Sequence, residues 1–284
     1  MFLNRLKLFP RQWRVDPHKQ GGRLFQADKY LRADQLRFGL GSHPLTETQD
    51  IQNHSWITNS MGSISSDQQA LRRLDYLINR DDVTVIAALN NGSATTVPAI
   101  LANSFNSIIV GLTNGLHSTG QTTVDSPFRQ VPHIVAPNDF TSFASPMVSA
   151  GAALLLDASR RDANLNLADR NEVVRSLLLA GATKTEFANW SHSPTQPLDD
   201  TFGAGELNIQ RSYHILEAGR QASNTIGDAQ GWNLQTGAVG TNTYYFDVTG
   251  QALEEFELAW LEEPVAAHNL TGHAEVRNRL TTPI

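Results

Sequence analysis

The chain has 284 residues, of which 40% are hydrophobic and 18% are charged, with a net charge of −6 and no cysteine. This composition supports one sizeable core with a further small module, and it excludes disulfides, thiol catalysis and cysteine-based metal sites. The acidic balance disfavours nucleic-acid binding as the main function, and no apolar stretch has the length of a signal peptide or a membrane span.

The amino terminus is basic. Residues 1–35 contain eight Lys or Arg and three Asp, a net charge of +5, which leaves −11 for the rest of the chain. Two prolines and a Gly-Gly pair interrupt any long helix there. We predict a poorly ordered, solvated segment over residues 1–26 rather than a membrane- or nucleic-acid-binding arm. An amphipathic helix over residues 27–38 is the first predicted element of a domain.

Strands and helices alternate from residue 50 onward. We predict strands over residues 51–57, 83–89 and 107–112, a short apolar segment before Pro137, and a helix over residues 66–79 capped by Ser65, Ser66 or Asp67. Apolar, β-branched runs are typical of parallel strands that are buried on both faces. The pattern therefore predicts an α/β domain with an open, mostly parallel sheet and functional sites at the carboxyl ends of its strands.

The segment that says most about function is residues 141–154, which read TSFASPMVSAGAAL. It places the Ser142 hydroxyl at the start of a predicted helix, where free backbone N–H groups favour negative charge. The small side chains that follow let this helix pack closely and hold the hydroxyl in place. A nucleophile in acyl transfer needs such a setting. The alternative is an ordinary Ala-rich helix that is capped by Ser or Thr.

Residues 141–146 resemble the nucleophile segment of subtilisin-like serine proteases (subtilases), Gly-Thr-Ser-x-Ala-(Ser/Thr)-Pro, with Phe140 in place of the leading Gly. Upstream, the strand over residues 83–89 ends in Asn90-Asn91-Gly92, which resembles the subtilase sequence Ala-Ala-Gly-Asn-x-Gly. The resemblance implies that Ser142 is the nucleophile and that Asn90 donates a hydrogen bond to the oxyanion. The alternative for Asn90 is a plain turn, because Asn and Gly are common turn residues.

Further segments follow the same family in the same order. Residues 51–57 resemble the strand Val-x-Asn-x-Ser-Leu-Gly, which implies that Ser55, Trp56 and Ile57 belong to the substrate-binding strand. Other matches are residues 98–99, 107–111, 134–137 and 202–208. Together the matches cover about residues 50–216 and imply a partial subtilisin-like, three-layer peptidase domain over residues 27–218.

The sequence departs from the family where the acid and base of the triad are expected. In subtilases an Asp and then a His precede the Ser, in Asp-(Ser/Thr)-Gly and His-Gly-Thr-His motifs, and neither motif occurs here. Asp16 and His18 are only two positions apart and cannot fill both places. His43 precedes a proline, His54 is inside a predicted strand and His117 is in a loop, so none is predicted to be the base.

In the carboxyl-terminal part the pattern changes from helices to a linker and then to strand-forming residues. Helices are predicted over residues 170–179 and 210–218, followed by a linker over residues 219–230. Residues 231–284 are rich in strand-forming residues and resemble the β-sandwich appendage of many bacterial subtilases, in shortened form. Their cluster of glutamates is interpreted as a solvated strand face rather than a calcium site. No cofactor is expected, and structural calcium is implied by the family without a motif in this sequence.

Two functions remain open. The first is a subtilisin-like serine endopeptidase that acts on proteins or peptides through an acyl-enzyme on Ser142. In this interpretation the Asp and His lie in missing upstream sequence, and the chain is inactive as it stands. The second is a non-catalytic pseudoprotease or peptide-binding module. The family is usually secreted, yet the chain carries no signal peptide, so the sequence assigns no localisation.

Overall fold

Four parallel strands form the central sheet, in the order Ile51–His54 (β1), Thr84–Ala88 (β2), Ile108–Leu112 (β3) and Ile134–Ala136 (β6). The computed structural model describes Pro44 and residues 46–125, 129–193, 196–227, 230–235 and 243–246. In chain order the elements are β1 (Ile51–His54), α1 (Ile64–Asp81), β2 (Thr84–Ala88), β3 (Ile108–Leu112), β4 (Gly120–Gln121), β5 (Gln130–Val131), β6 (Ile134–Ala136), α2 (Thr141–Arg161), a 3₁₀ helix (Ala163–Leu165), α3 (Asn171–Ala180), α4 (Ile209–Glu217), β7 (Ile226–Gly227) and β8 (Tyr245–Phe246). The predicted α/β architecture with a parallel sheet is confirmed.

Helices cover both faces of this sheet because successive side chains of a strand point to opposite sides. Along β2, Val85 and Ala87 pack on the same side as the apolar stripe of α1. Ile86 instead packs with α2 and α3 in the second core cluster. Every residue of β2, β3 and β6 is buried, which explains why these strands lack the polar–apolar alternation of a one-sided sheet.

The amino terminus of α1 differs from the prediction. Ser63, and not Ser65, Ser66 or Asp67, is the N-cap, and its hydroxyl accepts a hydrogen bond from the Ser66 N–H at 3.2 Å. Asp67 is buried instead, and its carboxylate accepts hydrogen bonds from the segment before the cap. The helix therefore begins earlier than predicted, because the first turn includes the polar residues that were assigned to its cap.

The ends of the chain are described only in part. Residues 1–43, with the predicted basic segment and the predicted helix over residues 27–38, lie outside the described residues. In the carboxyl-terminal segment, Trp232 is buried within the same core cluster as α2 and α3. Strands β7 and β8 pair in parallel, but most of residues 231–284 lies outside the described residues, so the β-sandwich stays a prediction.

Candidate active site

Helix α2 starts one residue before Ser142. Its N-cap is Phe140, which makes no side-chain capping bond, and Thr141 is the first helical residue. Neither Thr141 nor Ser142 therefore acts as the cap that the ordinary-helix interpretation requires. Ser142 lies in the first turn, where backbone N–H groups have no partner within the helix. Among the described residues, none forms a hydrogen bond with its hydroxyl or its N–H.

The carboxyl end of β1 is tied to this turn through side chains. The Ser55 hydroxyl donates to the Ser142 carbonyl oxygen at 2.7 Å. The Asn53 amide donates to Ser55 Oγ at 2.9 Å, and Asn53 Oδ1 accepts from the Ser149 hydroxyl at 3.0 Å. These bonds join the end of β1 to α2 at two points about two helical turns apart. The structure thus brings Ser55 and Ser142 together, as expected if both belong to one site.

An asparagine amide also lies against the nucleophile segment, and it belongs to Asn91. Asn91 Oδ1 accepts from the Thr141 N–H at 2.9 Å and from the Thr141 hydroxyl at 3.0 Å. The same hydroxyl lies 2.6 Å from the Leu89 carbonyl oxygen, at the end of β2. Asn91 Nδ2, the other end of this amide, has no hydrogen-bond partner among the described residues.

Asn90, the predicted oxyanion donor, is held differently. Its described hydrogen bonds use the backbone: the Asn90 N–H donates to Ser118 Oγ at 3.3 Å, and its carbonyl oxygen accepts from the Ser118 N–H at 2.9 Å. The role of Asn90 stays a prediction, and Asn91 becomes a second candidate that the sequence did not separate from it. The two are adjacent, so the turn motif alone cannot decide which amide points toward Ser142.

Trp56 and Ile57 follow β1 beyond Ser55, and both are half-buried. The Trp56 ring packs edge-on against His54 with 5.7 Å between ring centroids and adjoins the core on the α1 side. Thr58 then pairs in antiparallel fashion with Ile100. The substrate-binding role of these residues stays a prediction.

His117 is not available as a general base for Ser142. Its Nδ1 accepts a hydrogen bond from the Leu112 N–H at 2.9 Å, so its proton lies on Nε2, which donates to the Thr201 carbonyl oxygen at 3.0 Å. The ring is buried and lies where a Cβ on Gly111 would clash with it. Burial also lowers the pKa of His117. This histidine joins the end of β3 to the loop around Thr201.

His54 and His133 are also buried within the fold. Burial lowers the pKa of His54 to about 3, and its Nε2 lies 3.3 Å from Gln52 Oε1. The pKa of His133 is likewise lowered to about 3, first by burial and then by the nearby Arg175. His133 Nδ1 accepts from the Ile109 N–H at 3.2 Å. Both rings are therefore neutral at physiological pH and act within the core.

We expect the free energy of unfolding to fall as the pH drops below 6.5. An unfolded histidine titrates near 6.5, whereas His54 and His133 titrate at about 3 in the folded chain. Between these values the unfolded state binds more protons, so each buried histidine removes about 1.4 kcal/mol of stability per pH unit of acidification. Urea unfolding at a series of pH values measures this slope.

The control for that slope is His133→Asn, because Asn Oδ1 can replace Nδ1 as the acceptor for Ile109. This variant should show a shallower pH dependence than the natural chain, whatever its stability at neutral pH. An unchanged slope would contradict a neutral, buried His133.

The described part of the chain has neither a cluster of metal ligands nor a membrane-spanning helix. Within it, no group of three or more His, Asp or Glu side chains is placed to hold a metal ion. No helix of the described ranges is long and apolar enough to cross a membrane. Structural calcium stays a prediction that rests on the family.

The sequence matches the family model described as "Subtilase family" over residues 42–205, more than half of the chain. The chain belongs to the subtilase family. This match includes β1, the Asn90–Asn91 turn and the amino-terminal turn of α2, which are the parts of the site described above. The resemblance inferred from the motifs is confirmed.

Several solved protease structures are similar to this subtilase. They include the prenylagaramide maturation protease PagA (21% identity, TM-score 0.37, covering 59% of this chain and 62% of that one), fervidolysin from Fervidobacterium pennivorans (16%, 0.38, 58% and 26%) and a lanthipeptide protease (14%, 0.42, 60% and 62%). The chain spans less than two thirds of the length of each of these proteins. No curated protein matches it.

Proposed function

We propose that this subtilase carries the nucleophile and the oxyanion-binding part of a serine endopeptidase site, with Ser142 forming the acyl-enzyme. The observation that supports this most directly is the first turn of α2. There the Ser142 hydroxyl and N–H lack partners among the described residues, while Thr141 orients the Asn91 amide beside them. The substrate would be a protein or peptide, as the family implies.

In the proposed reaction, Ser142 Oγ forms a bond to the carbonyl carbon of a peptide while a base accepts the hydroxyl proton. The carbonyl oxygen becomes an oxyanion, which the Ser142 N–H and Asn91 Nδ2 would bind. The positive end of the α2 dipole would add to this stabilisation. The amine then leaves with a proton, and water releases the acyl group from Ser142.

We propose that the base of this reaction comes from outside the described residues, because no described histidine forms a hydrogen bond with the Ser142 hydroxyl. His117 uses both ring nitrogens within the fold, and His54 and His133 are buried with strongly lowered pKa values. Without a base the serine hydroxyl stays protonated and weakly nucleophilic. We therefore propose that the chain alone hydrolyses peptides very slowly and needs a further segment for full activity.

The alternative function is a non-catalytic pseudoprotease or peptide-binding module. The observation that favours it is again that His54, His117 and His133 are buried within the fold and not free to act as a base. A cleft without a base would bind a peptide but not cleave it. The intact Ser142 turn favours the endopeptidase instead, because binding alone requires neither a free hydroxyl nor an oriented amide.

We expect a fluorophosphonate probe to label the purified chain slowly, and the labelling rate to rise when imidazole is added. Imidazole in solution can take the place of a missing histidine as the proton acceptor. Labelling is measured by gel fluorescence and by the mass of the modified peptide. The Ser142→Ala variant is the control, and it should not label at any imidazole concentration.

Other labelling results would contradict parts of this proposal. Labelling that persists in Ser142→Ala would show that the probe reacts elsewhere. No labelling of a folded chain, with or without imidazole, would contradict the endopeptidase and favour the peptide-binding module. Fast labelling without imidazole would show that the chain supplies its own base, which would contradict our proposal about the missing segment.

A further inference from the structure

One carbonyl oxygen of helix α2 cannot receive the hydrogen bond that an α-helix normally supplies. In an α-helix, the N–H of each residue donates to the carbonyl oxygen four residues earlier. Four residues after Ser142 comes Pro146, which lies inside α2 and has no N–H. A proline ring also crowds the carbonyl group four residues before it. Pro146 therefore leaves the Ser142 carbonyl oxygen without its regular helical donor.

The segment that follows β1 supplies a donor for this oxygen. Ser55, the residue directly after β1, donates its hydroxyl proton to the Ser142 carbonyl oxygen at 2.7 Å. Both serines are half-buried. A backbone carbonyl oxygen that is shielded from water and lacks a donor destabilises the fold. The Ser55 hydroxyl thus takes the place of the missing N–H of Pro146.

The direction of the Ser55 hydroxyl is set by a second hydrogen bond. Asn53 Nδ2 donates to Ser55 Oγ at 2.9 Å, so this oxygen accepts from Asn53 while its single proton is given to the Ser142 carbonyl oxygen. The other end of the amide, Asn53 Oδ1, lies 3.0 Å from the Ser149 hydroxyl, which also lies 3.0 Å from the Ser145 carbonyl oxygen. The side chains at the end of β1 therefore hold the Ser55 hydroxyl in its donating direction.

We propose that Ser55 is a positioning residue for Ser142, because its hydroxyl replaces the N–H that Pro146 lacks and so holds the first turn of α2 against the end of β1. This inference rests on the proposed function, since it gives the turn a role in acylation. With an ordinary residue at position 146, the helix itself would supply the hydrogen bond to the Ser142 carbonyl oxygen. The bond from Ser55 would then be dispensable.

The alternative is that Ser55 only joins the strand to the helix, as any contact between two packed elements does. The two interpretations differ in what they predict for position 146. If Ser55 only joins the elements, the effect of removing its hydroxyl does not depend on residue 146. If Ser55 replaces the missing N–H, the effect is large beside Pro146 and small when residue 146 has an N–H of its own.

The first test is a double-mutant cycle of urea unfolding with the natural chain, Ser55→Ala, Pro146→Ala and the double variant. Pro146 is exposed, so Pro146→Ala removes little packing and restores a backbone N–H. We expect Ser55→Ala to lower the urea midpoint beside Pro146 and to lower it less beside Ala at position 146. The matched control is Ser159→Ala, because the Ser159 hydroxyl donates to the Leu156 carbonyl oxygen at 2.8 Å, far from Pro146 in the same helix. It should shift the midpoint equally in both backgrounds.

The second test measures the rate constant of fluorophosphonate labelling of the same chains in the presence of imidazole. We expect Ser55→Ala to slow the labelling of Ser142 about tenfold, the equivalent of one hydrogen bond. The slowing should be much smaller in the Pro146→Ala background, because the restored N–H holds the carbonyl group of Ser142. Ser159→Ala should label at the natural rate.

Three results would overturn the inference or part of it. Equal midpoint shifts for Ser55→Ala in both backgrounds would show that Ser55 does not replace the N–H of Pro146. A lowered midpoint with an unchanged labelling rate would show that Ser55 stabilises the fold without positioning Ser142. No labelling of any chain would contradict the endopeptidase and the positioning role with it, while the urea midpoints would still decide whether Ser55 replaces the N–H of Pro146.

Discussion

Replacing Asn91 by Ala is expected to slow the acylation of Ser142 about 100- to 1,000-fold, the usual cost of removing one oxyanion donor. Asn91 Oδ1 is anchored by the N–H and hydroxyl of Thr141, the residue directly before Ser142. Its Nδ2 would therefore already be oriented when negative charge develops on the substrate oxygen. The rate constant of fluorophosphonate labelling in the presence of imidazole measures this effect, because the phosphonyl oxygen uses the same donors.

Asn90→Ala is the matched control, since it removes the same side chain one position earlier. The described hydrogen bonds of Asn90 run through its backbone, so this variant should label almost as fast as the natural chain. Thr141→Val should slow labelling as well, because it removes the hydroxyl whose single proton is shared between the Leu89 carbonyl oxygen at 2.6 Å and Asn91 Oδ1 at 3.0 Å. A large loss in Asn90→Ala with a normal Asn91→Ala would assign the donor to Asn90, as the family alignment predicts.

Replacing Gly205 by Ala is expected to lower the free energy of unfolding by about 3 kcal/mol or more. Gly205 has φ +119°, and an added Cβ would lie 2.3 Å from the Thr183 carbonyl oxygen. The obstacle is backbone and cannot rotate away. The Gly205 carbonyl oxygen accepts from the Val135 N–H at 3.0 Å, so a shift here would also disturb β6, which leads into the nucleophile helix. Equilibrium urea unfolding measures the loss.

Gly120→Ala separates the clash from the strain of the backbone angle. Gly120 has a similar φ of +126°, but nothing lies within 4 Å of an added Cβ. Its substitution should therefore cost only the conformational part, about 1–2 kcal/mol. Equal losses in the two variants would show that the contact with Thr183 adds nothing to the cost at Gly205.

Much of the fold could be predicted from local patterns. The helix predicted over residues 66–79 is observed as Ile64–Asp81, and the strand predicted over residues 83–89 is observed as Thr84–Ala88. Both patterns are strong because each element buries a regular apolar face or is buried on both sides. The predicted N-cap of α1 was wrong because several nearby polar residues can serve as an N-cap, and only the backbone conformation decides which one does.

Only some features of the candidate site could be predicted from the sequence. The serine at the start of α2 follows from sequence, since a hydroxyl before a run of small residues is a local feature. The pairing of Ser55 with the Ser142 carbonyl oxygen joins residues 87 positions apart, and no periodicity indicates it. The rejection of His117 as a base was made from its loop context, whereas the physical reason is its two hydrogen bonds within the fold.

By itself the sequence determined the family and the parallel α/β sheet, and it predicted the nucleophile, because each depends on residues that are close together in the chain. The tertiary structure decided which of two adjacent asparagine side chains bonds to the nucleophile segment, and that three histidines are buried inside the fold. These features depend on the direction of side chains and on burial by distant segments, which a one-dimensional pattern does not contain.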